Sequence, residues 1–186
     1  AELAGHERPV PEAVSLVTGR FPSTQYRHIP LFSDVTDEQW NNWRWQVKYA
    51  IQDIPTLSRV VELPEDEKKN LSRCLRRFRM AITPYYAALM DRSYNRCPIR
   101  LQAVPRAEEL ERDRAGLEDP LLEEANSPVS GLIHRYPDRV LLLATNRCPM
   151  YCRHCSRRRI VGDEDVHLSQ EDMDRAFDYI RRTGRI

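Results

Sequence analysis

Apolar and polar residues alternate along this chain with a period that changes from one stretch to the next. Between Thr36 and Ile54, the apolar positions Trp40, Trp43, Val47, Ala50, Ile51 and Ile54 recur at helical spacing. Thr36 and Gln39 stand where a reciprocal capping box would open that helix. A second helix is predicted after Pro64, where Glu65-Asp66-Glu67 place negative charge in the first turn and Leu71, Leu75, Phe78 and Ile82 continue one face. Thr83 and Pro84 read as the cap and first residue of another helix, through about Met90. From Pro105 to Glu124 the chain is acidic, with turn signals at Asp119-Pro120 and Ser127-Pro128, predicting a surface helix and then an extended crossing segment. Arg139 to Thr145 is a short apolar run without period-two alternation, as in a buried parallel strand. The final helix is strongly marked. Ser169 is its N-cap with Asp172 at N3, and Met173, Ala176, Phe177 and Ile180 form its apolar face. Arg181 and Arg182 lie in the last turn before Gly184. Strand, loop and helix together make one β/α unit whose loop lies at the C-terminal end of the strand, where β/α barrels carry their chemistry.

The length of 186 residues allows one or two domains, and a 41% hydrophobic content supports a packed core. Basic and acidic residues nearly balance at 29 and 28, which gives little support to a nucleic-acid surface. With no secretory signal, no transmembrane run and an odd number of cysteines, the chain reads as cytoplasmic and disulfides are not expected. Cys74 lies beside a helical apolar face and reads as a buried thiol, whereas Cys97, before Pro98, reads as a loop thiol.

The remaining cysteines form the run Cys148-Pro-Met-Tyr-Cys152-Arg-His-Cys155. Three thiolates on one short loop suit three irons of a four-iron cluster, leaving the fourth iron open to a substrate or cofactor. A structural zinc site ordinarily brings a second knuckle or a downstream His pair, and neither is present; zinc and ordinary thiols stay open as alternatives. From His134 to Arg159 there are seven arginines and one acid, Asp138. Arginine suits bidentate phosphate and carboxylate contacts, and Arg135 and Arg139 at a strand start are better candidates than Arg158 and Arg159.

The CxxxCxxC loop after a first strand resembles that of the radical S-adenosylmethionine enzymes. The runs His134-Arg135-Tyr136-Pro137-Asp138-Arg139 and Met150-Tyr151-Cys152-Arg153-His154-Cys155-Ser156-Arg157-Arg158-Arg159 are similar to the lysine 2,3-aminomutase family in particular. So are Trp40-Asn41-Asn42-Trp43-Arg44-Trp45-Gln46, Met80-Ala81-Ile82-Thr83-Pro84-Tyr85-Tyr86, Leu117-Glu118-Asp119-Pro120-Leu121 and Asn126-Ser127-Pro128-Val129, so that the resemblance runs from about Tyr26 to the C-terminus.

This resemblance implies an isomerase that moves the α-amino group of L-lysine to the β-carbon. It implies three cofactors: a [4Fe-4S] cluster, S-adenosyl-L-methionine and pyridoxal 5′-phosphate. Cys148, Cys152 and Cys155 match the cluster ligands. Arg135, Tyr136 and Arg139 match positions that help hold pyridoxal phosphate, and Arg157 matches a position that grips the substrate α-carboxylate. A free amino acid, a reducing electron donor and a homo-oligomer of the complete enzyme are the implied partners, with no nucleic acid and no membrane.

The chain is short for that family. Its lysines, Lys48, Lys68 and Lys69, read as surface residues, so no Schiff-base lysine or other catalytic residue is expected here and the chain reads as an N-terminal fragment. The expected fold is α/β: an unplaced segment at 1–25, a helical N-terminal domain at 26–104, an acidic helix and crossing segment at 105–133, and at 134–186 the first β/α unit of a truncated partial radical SAM (β/α) barrel. An exposed parallel edge predicts poor solubility or dependence on a partner for the chain alone. The alternatives are a glutamate or arginine 2,3-aminomutase, a translation-factor β-lysine-forming homologue, and a non-catalytic iron–sulfur or zinc-binding module.

Overall fold

The computed structural model describes residues 25–112, 117–162 and 168–186, so the unplaced segment lies outside the described residues but for Gln25. A 3₁₀ turn at Gln25–His28 leads into α1 (Asp37–Asn41), α2 (Trp43–Lys48), α3 (Ile54–Leu57), α4 (Glu65–Leu75), α5 (Pro84–Ala88), α6 (Pro98–Ala103) and α7 (Ala107–Arg112). Strands β1 (Leu132–Tyr136) and β2 (Arg139–Leu142) follow, and then α8 (Gln170–Thr183).

The tryptophan-rich helix forms in two pieces. The Thr36–Gln39 capping box is present, but Asn42 closes α1 and caps α2, its side chain accepting the N–H groups of Arg44 at 2.9 Å and Trp45 at 3.4 Å. An Asn side chain competes well for helical N–H groups, and here it breaks the run. Trp40 stays buried and stacks on Tyr26 with ring centroids 3.8 Å apart, while Trp43 turns out to be 60% exposed. Ile51 leaves helical structure altogether and bridges to Ile82.

The acidic first turn of α4 is as expected, with Leu71 and the Cys74 thiol buried. The helix ends at Leu75, however, so Phe78 and Ile82, expected to continue its face, lie beyond it, and Ile82 pairs instead as an extended bridge. Cys97 lies in a loop as expected, though its thiol is enclosed. It is buried at the N-terminus of α6, and its sulfur accepts the Asp91 N–H at 3.4 Å. α6 also carries a buried cation: Arg100 is 2% exposed and bonds the Glu62 carbonyl at 3.1 Å and the Glu67 carboxylate of α4 at 2.5 Å. Ile51, Leu57, Val61, Leu71, Cys74, Ile82 and Ala87 make the centre of the core.

The strand expected to be parallel pairs differently. β1 and β2 form a two-stranded antiparallel hairpin with Leu132 opposite Leu142 and Ile133 opposite Leu141, turned by Pro137-Asp138. Proline fixes the φ of such a turn, and β2 alternates between exposed and half-buried positions, as a one-sided strand does. No barrel is present among the described residues, so the mixed α and β character holds and the parallel pairing does not. α8 has the expected ends: the Ser169 hydroxyl accepts the Asp172 N–H at 3.0 Å, and Gly184 closes the helix at φ 61°. The turn of β1 toward α8 is fixed by a 2.7 Å contact between His134 Nδ1 and the Tyr179 hydroxyl.

Candidate functional site

The cysteine loop is built onto the helical core rather than beside it. Ile82 bridges Ile51 on one side and Met150 on the other, so three short extended segments lie edge to edge. Around that bridge the Thr83 N–H donates to the Pro149 carbonyl at 3.1 Å and the Tyr151 N–H to the Ala81 carbonyl at 3.0 Å. One turn later the Arg153 N–H reaches the Gln102 carbonyl at 2.8 Å. Met150 is buried in the core, and Cys152 packs against it. Main-chain bonds at Tyr151 and Arg153, on either side of Cys152, thus set where that thiol stands.

All three thiols are half-buried. The Cys155 sulfur accepts the Arg157 N–H at 3.3 Å, and the Cys152 thiol faces the Met150 carbonyl at 3.8 Å. Burial pushes the Cys152 thiol above its ordinary value, and the negative charge that Cys148 and Cys155 would carry adds to the effect. Among the described residues no three His, Cys, Asp or Glu side chains converge as ligands of a single ion. A cluster asks less convergence, because each thiolate binds a separate iron, and a soft set of three thiols on one anchored loop fits iron–sulfur chemistry.

The loop lines several clefts, two of which meet at Tyr151. Cys152 and Cys155 line one of about 380 Å³, together with Phe78 and Arg77, Arg79, Arg153, Arg158 and Arg159. Cys148 lines another, of about 440 Å³, with Trp43, Arg44, Lys48 and Arg147, and Tyr151 contributes to both walls. Gly162 turns left-handed at φ 74° directly against the Tyr151 ring, where any Cβ would collide with it.

The arginines of this loop are held by the acidic segment that precedes it, pairings that sequence reading did not assign. Arg153 makes a bidentate pair with Glu109 of α7, at 2.6 Å and 3.1 Å, and its guanidinium also lies over Phe78 at 5.0 Å. Arg157 is bidentate to the buried Glu123, with Nη2 at 2.7 Å and Nε at 3.1 Å. Arg159 reaches Asp119 at 3.3 Å and Glu124 at 3.2 Å. Asp119 in turn accepts the Glu124 N–H at 2.9 Å. That bond comes first among the causes holding the Asp119 carboxyl below its ordinary value, with Arg159 contributing further on. The available signal was the complementary charge of two stretches: acid from Pro105 to Glu124, arginine from His134 to Arg159.

Arg135, Tyr136 and Arg139 are brought together at the hairpin tip. Both guanidinium groups lie over the Tyr136 ring, at 5.8 Å and 4.5 Å, and all three residues are exposed. Two stacked guanidinium groups suit a phosphate. Of the lysines, Lys48 and Lys69 are exposed and Lys68 pairs with Glu65 at 2.6 Å, which leaves them on the surface as expected. No helix among the described residues is long and apolar enough to cross a membrane.

No protein-family model matches the chain. It is 49% identical over 160 residues to the L-lysine 2,3-aminomutase of Clostridium subterminale, an alignment covering 86% of this chain and 38% of that protein. Identity to the L-lysine 2,3-aminomutase of Bacillus subtilis is 45% over 165 residues, covering 89% and 35% respectively. The glutamate 2,3-aminomutase of Clostridioides difficile is 42% identical over 151 residues, covering 81% and 36%. The chain therefore spans somewhat more than a third of the length of these relatives.

Proposed function

Over the residues it spans this chain belongs to the lysine 2,3-aminomutase family, and on that premise we propose that it serves a radical S-adenosylmethionine, pyridoxal phosphate-dependent 2,3-aminomutase acting on L-lysine. The activity is that of a longer protein of which these residues form the N-terminal part. The observation that carries the reading is the cysteine loop itself: three half-buried thiols within eight residues, with main-chain bonds into the core on both sides of Cys152.

Cys148, Cys152 and Cys155 hold the [4Fe-4S] cluster, and Arg135, Tyr136 and Arg139 hold the pyridoxal phosphate. When bound, the cluster and S-adenosylmethionine supply reductive radical generation, and pyridoxal phosphate carries the migrating amino group. This chain's own contribution is placement. The bridge at Ile82 fixes the loop, and the Arg157 N–H on the Cys155 sulfur holds that sulfur in place. Arg157 receives the substrate α-carboxylate. β2 pairs with β1 along one edge, and its other edge is where the parallel strands of a β/α barrel add. The protein is cytoplasmic, takes electrons from a reducing donor and associates with copies of itself.

Lysine is favoured over glutamate by the identity to the Clostridium subterminale lysine enzyme, 49%, against 42% to the glutamate enzyme. The test is electron paramagnetic resonance of the full-length, anaerobically reconstituted and reduced protein, with and without S-adenosylmethionine. A four-iron signal that changes on adding the cofactor, with β-lysine formed from lysine, is the expected result. Stoichiometric zinc without iron would overturn the radical reading, and turnover of glutamate but not lysine would overturn the substrate.

A further inference from the structure

We propose that Glu123 is a positioning residue, which aims the guanidinium of Arg157 at the substrate carboxylate and keeps it in register with the cluster loop. The proposal rests on the reading of Arg157 as the carboxylate-binding group, and it identifies what in this chain sets that group's direction.

A guanidinium has five N–H bonds in one plane. Glu123 takes those along one side: Nε donates at 3.1 Å to both carboxylate oxygens, and Nη2 donates at 2.7 Å to Oε1. The edge that remains is the end-on pair formed by Nη1 and the outer hydrogen of Nη2, a fork that matches a second carboxylate. Exposure follows the same division, since the Glu123 side chain is 5% exposed and that of Arg157 33%. A buried carboxylate against a half-open arginine acts as an inner brace, with the outer edge left to a ligand. An isolated arginine on a long flexible stem would sample many directions, and the brace removes that freedom before the ligand arrives.

The segment carrying Glu123 is shaped for this purpose. Leu122 has φ 54°, the one non-glycine residue with positive φ among the described residues, and its side chain is 59% exposed. Backbone strain of that kind persists where surrounding bonds over-determine it. Here the Asp119 carboxylate accepts the Glu124 N–H, while Arg159 reaches both Asp119 and Glu124. The left-handed residue points an apolar side chain outward and turns the next carboxylate inward. Arg157 is also tied to the cluster loop through its own N–H on the Cys155 sulfur at 3.3 Å. Arg157 thereby joins Glu123, on its side chain, to a candidate cluster ligand two residues away, on its main chain.

The experiment uses the full-length protein loaded with cluster, S-adenosylmethionine and pyridoxal phosphate but without reductant, so that binding is read without turnover. Titration calorimetry gives the dissociation constants of lysine and of lysinamide, which lacks the carboxylate, for the parent, Glu123→Gln, Glu123→Asp and Arg157→Lys; iron content is measured on each. The expected result for Glu123→Gln is lysine binding weakened by about tenfold or more, lysinamide binding little changed, and iron content retained. Glu123→Asp recovers part of the preference. Unchanged lysine binding in Glu123→Gln, with weakened binding in Arg157→Lys, overturns the role of Glu123 alone. Equal weakening of lysine and lysinamide, or iron lost from both Glu123 variants, overturns it in favour of a purely structural brace. If Arg157→Lys also binds lysine normally, the carboxylate role of Arg157 fails and the inference falls with it.

Discussion

At Gly162 the backbone turns left-handed against the ring of Tyr151, the residue just before Cys152. Gly162→Ala has to relieve that collision by moving Tyr151, and the moved ring disturbs the two cysteine-lined clefts it borders. The expected loss is about 1–3 kcal/mol of stability, from left-handed strain and overpacking together. Denaturation midpoints would show it, and reconstituted iron per chain should fall in the same variant; unchanged values for both would disprove the packing argument. Replacing Cys152 by serine is the direct companion, expected to abolish the four-iron signal while the helical core keeps its cooperative unfolding. The three cysteines were legible in the sequence because their spacing is local. Their electrostatic surroundings were not, because Arg153 finds Glu109 and Arg157 finds Glu123 across 44 and 34 residues, and no local pattern encodes such a choice.

Among the elements, α8 was readable because period, cap and charge all agreed, and α4, as far as Leu75, because apolar period and acidic charge did. Ser169→Ala tests that directly at α8, with an expected cost of about 1 kcal/mol in thermal unfolding. The tryptophan helix was misread because one Asn42 side chain outbid a continuous apolar period. The strand from Arg139 was misread because Pro137-Asp138 outweighed the apolar run that follows, turning β2 back on β1. Between α4 and α6 the buried Arg100 makes a sharper test. Glu67→Gln leaves that guanidinium without its carboxylate in a site 2% exposed, and the expected loss is about 3–5 kcal/mol. Exchanging both residues for apolar ones of similar volume should recover most of it. Urea midpoints of the single and double variants decide the matter, and equal losses in both would contradict it.

Across the whole molecule, a segment rich in acid lies against a loop rich in arginine, and near-neutral net charge conceals that polarity. Asp119 is the titrating joint on which acid sensitivity can be read. Its carboxyl is depressed below the ordinary 3.8, so the stability it contributes is fully present above pH 3.8 and lost as pH falls through the lower folded value. Hydrogen exchange at Glu124, whose N–H it accepts, should quicken in that acid range while Leu71 in α4 stays protected; simultaneous loss at both would mean global unfolding instead. The bridge that seats Met150 against Ile82 has a consequence in time as well as in space. Ile51 and Ile82 leave the ribosome well before Met150, so the core can form a waiting edge on which the cysteine loop docks afterwards. Such ordering separates folding from cofactor loading. Under the proposed function, oxidative loss of iron then releases the loop alone, leaving a stable core ready to be refilled rather than a chain that must be made again.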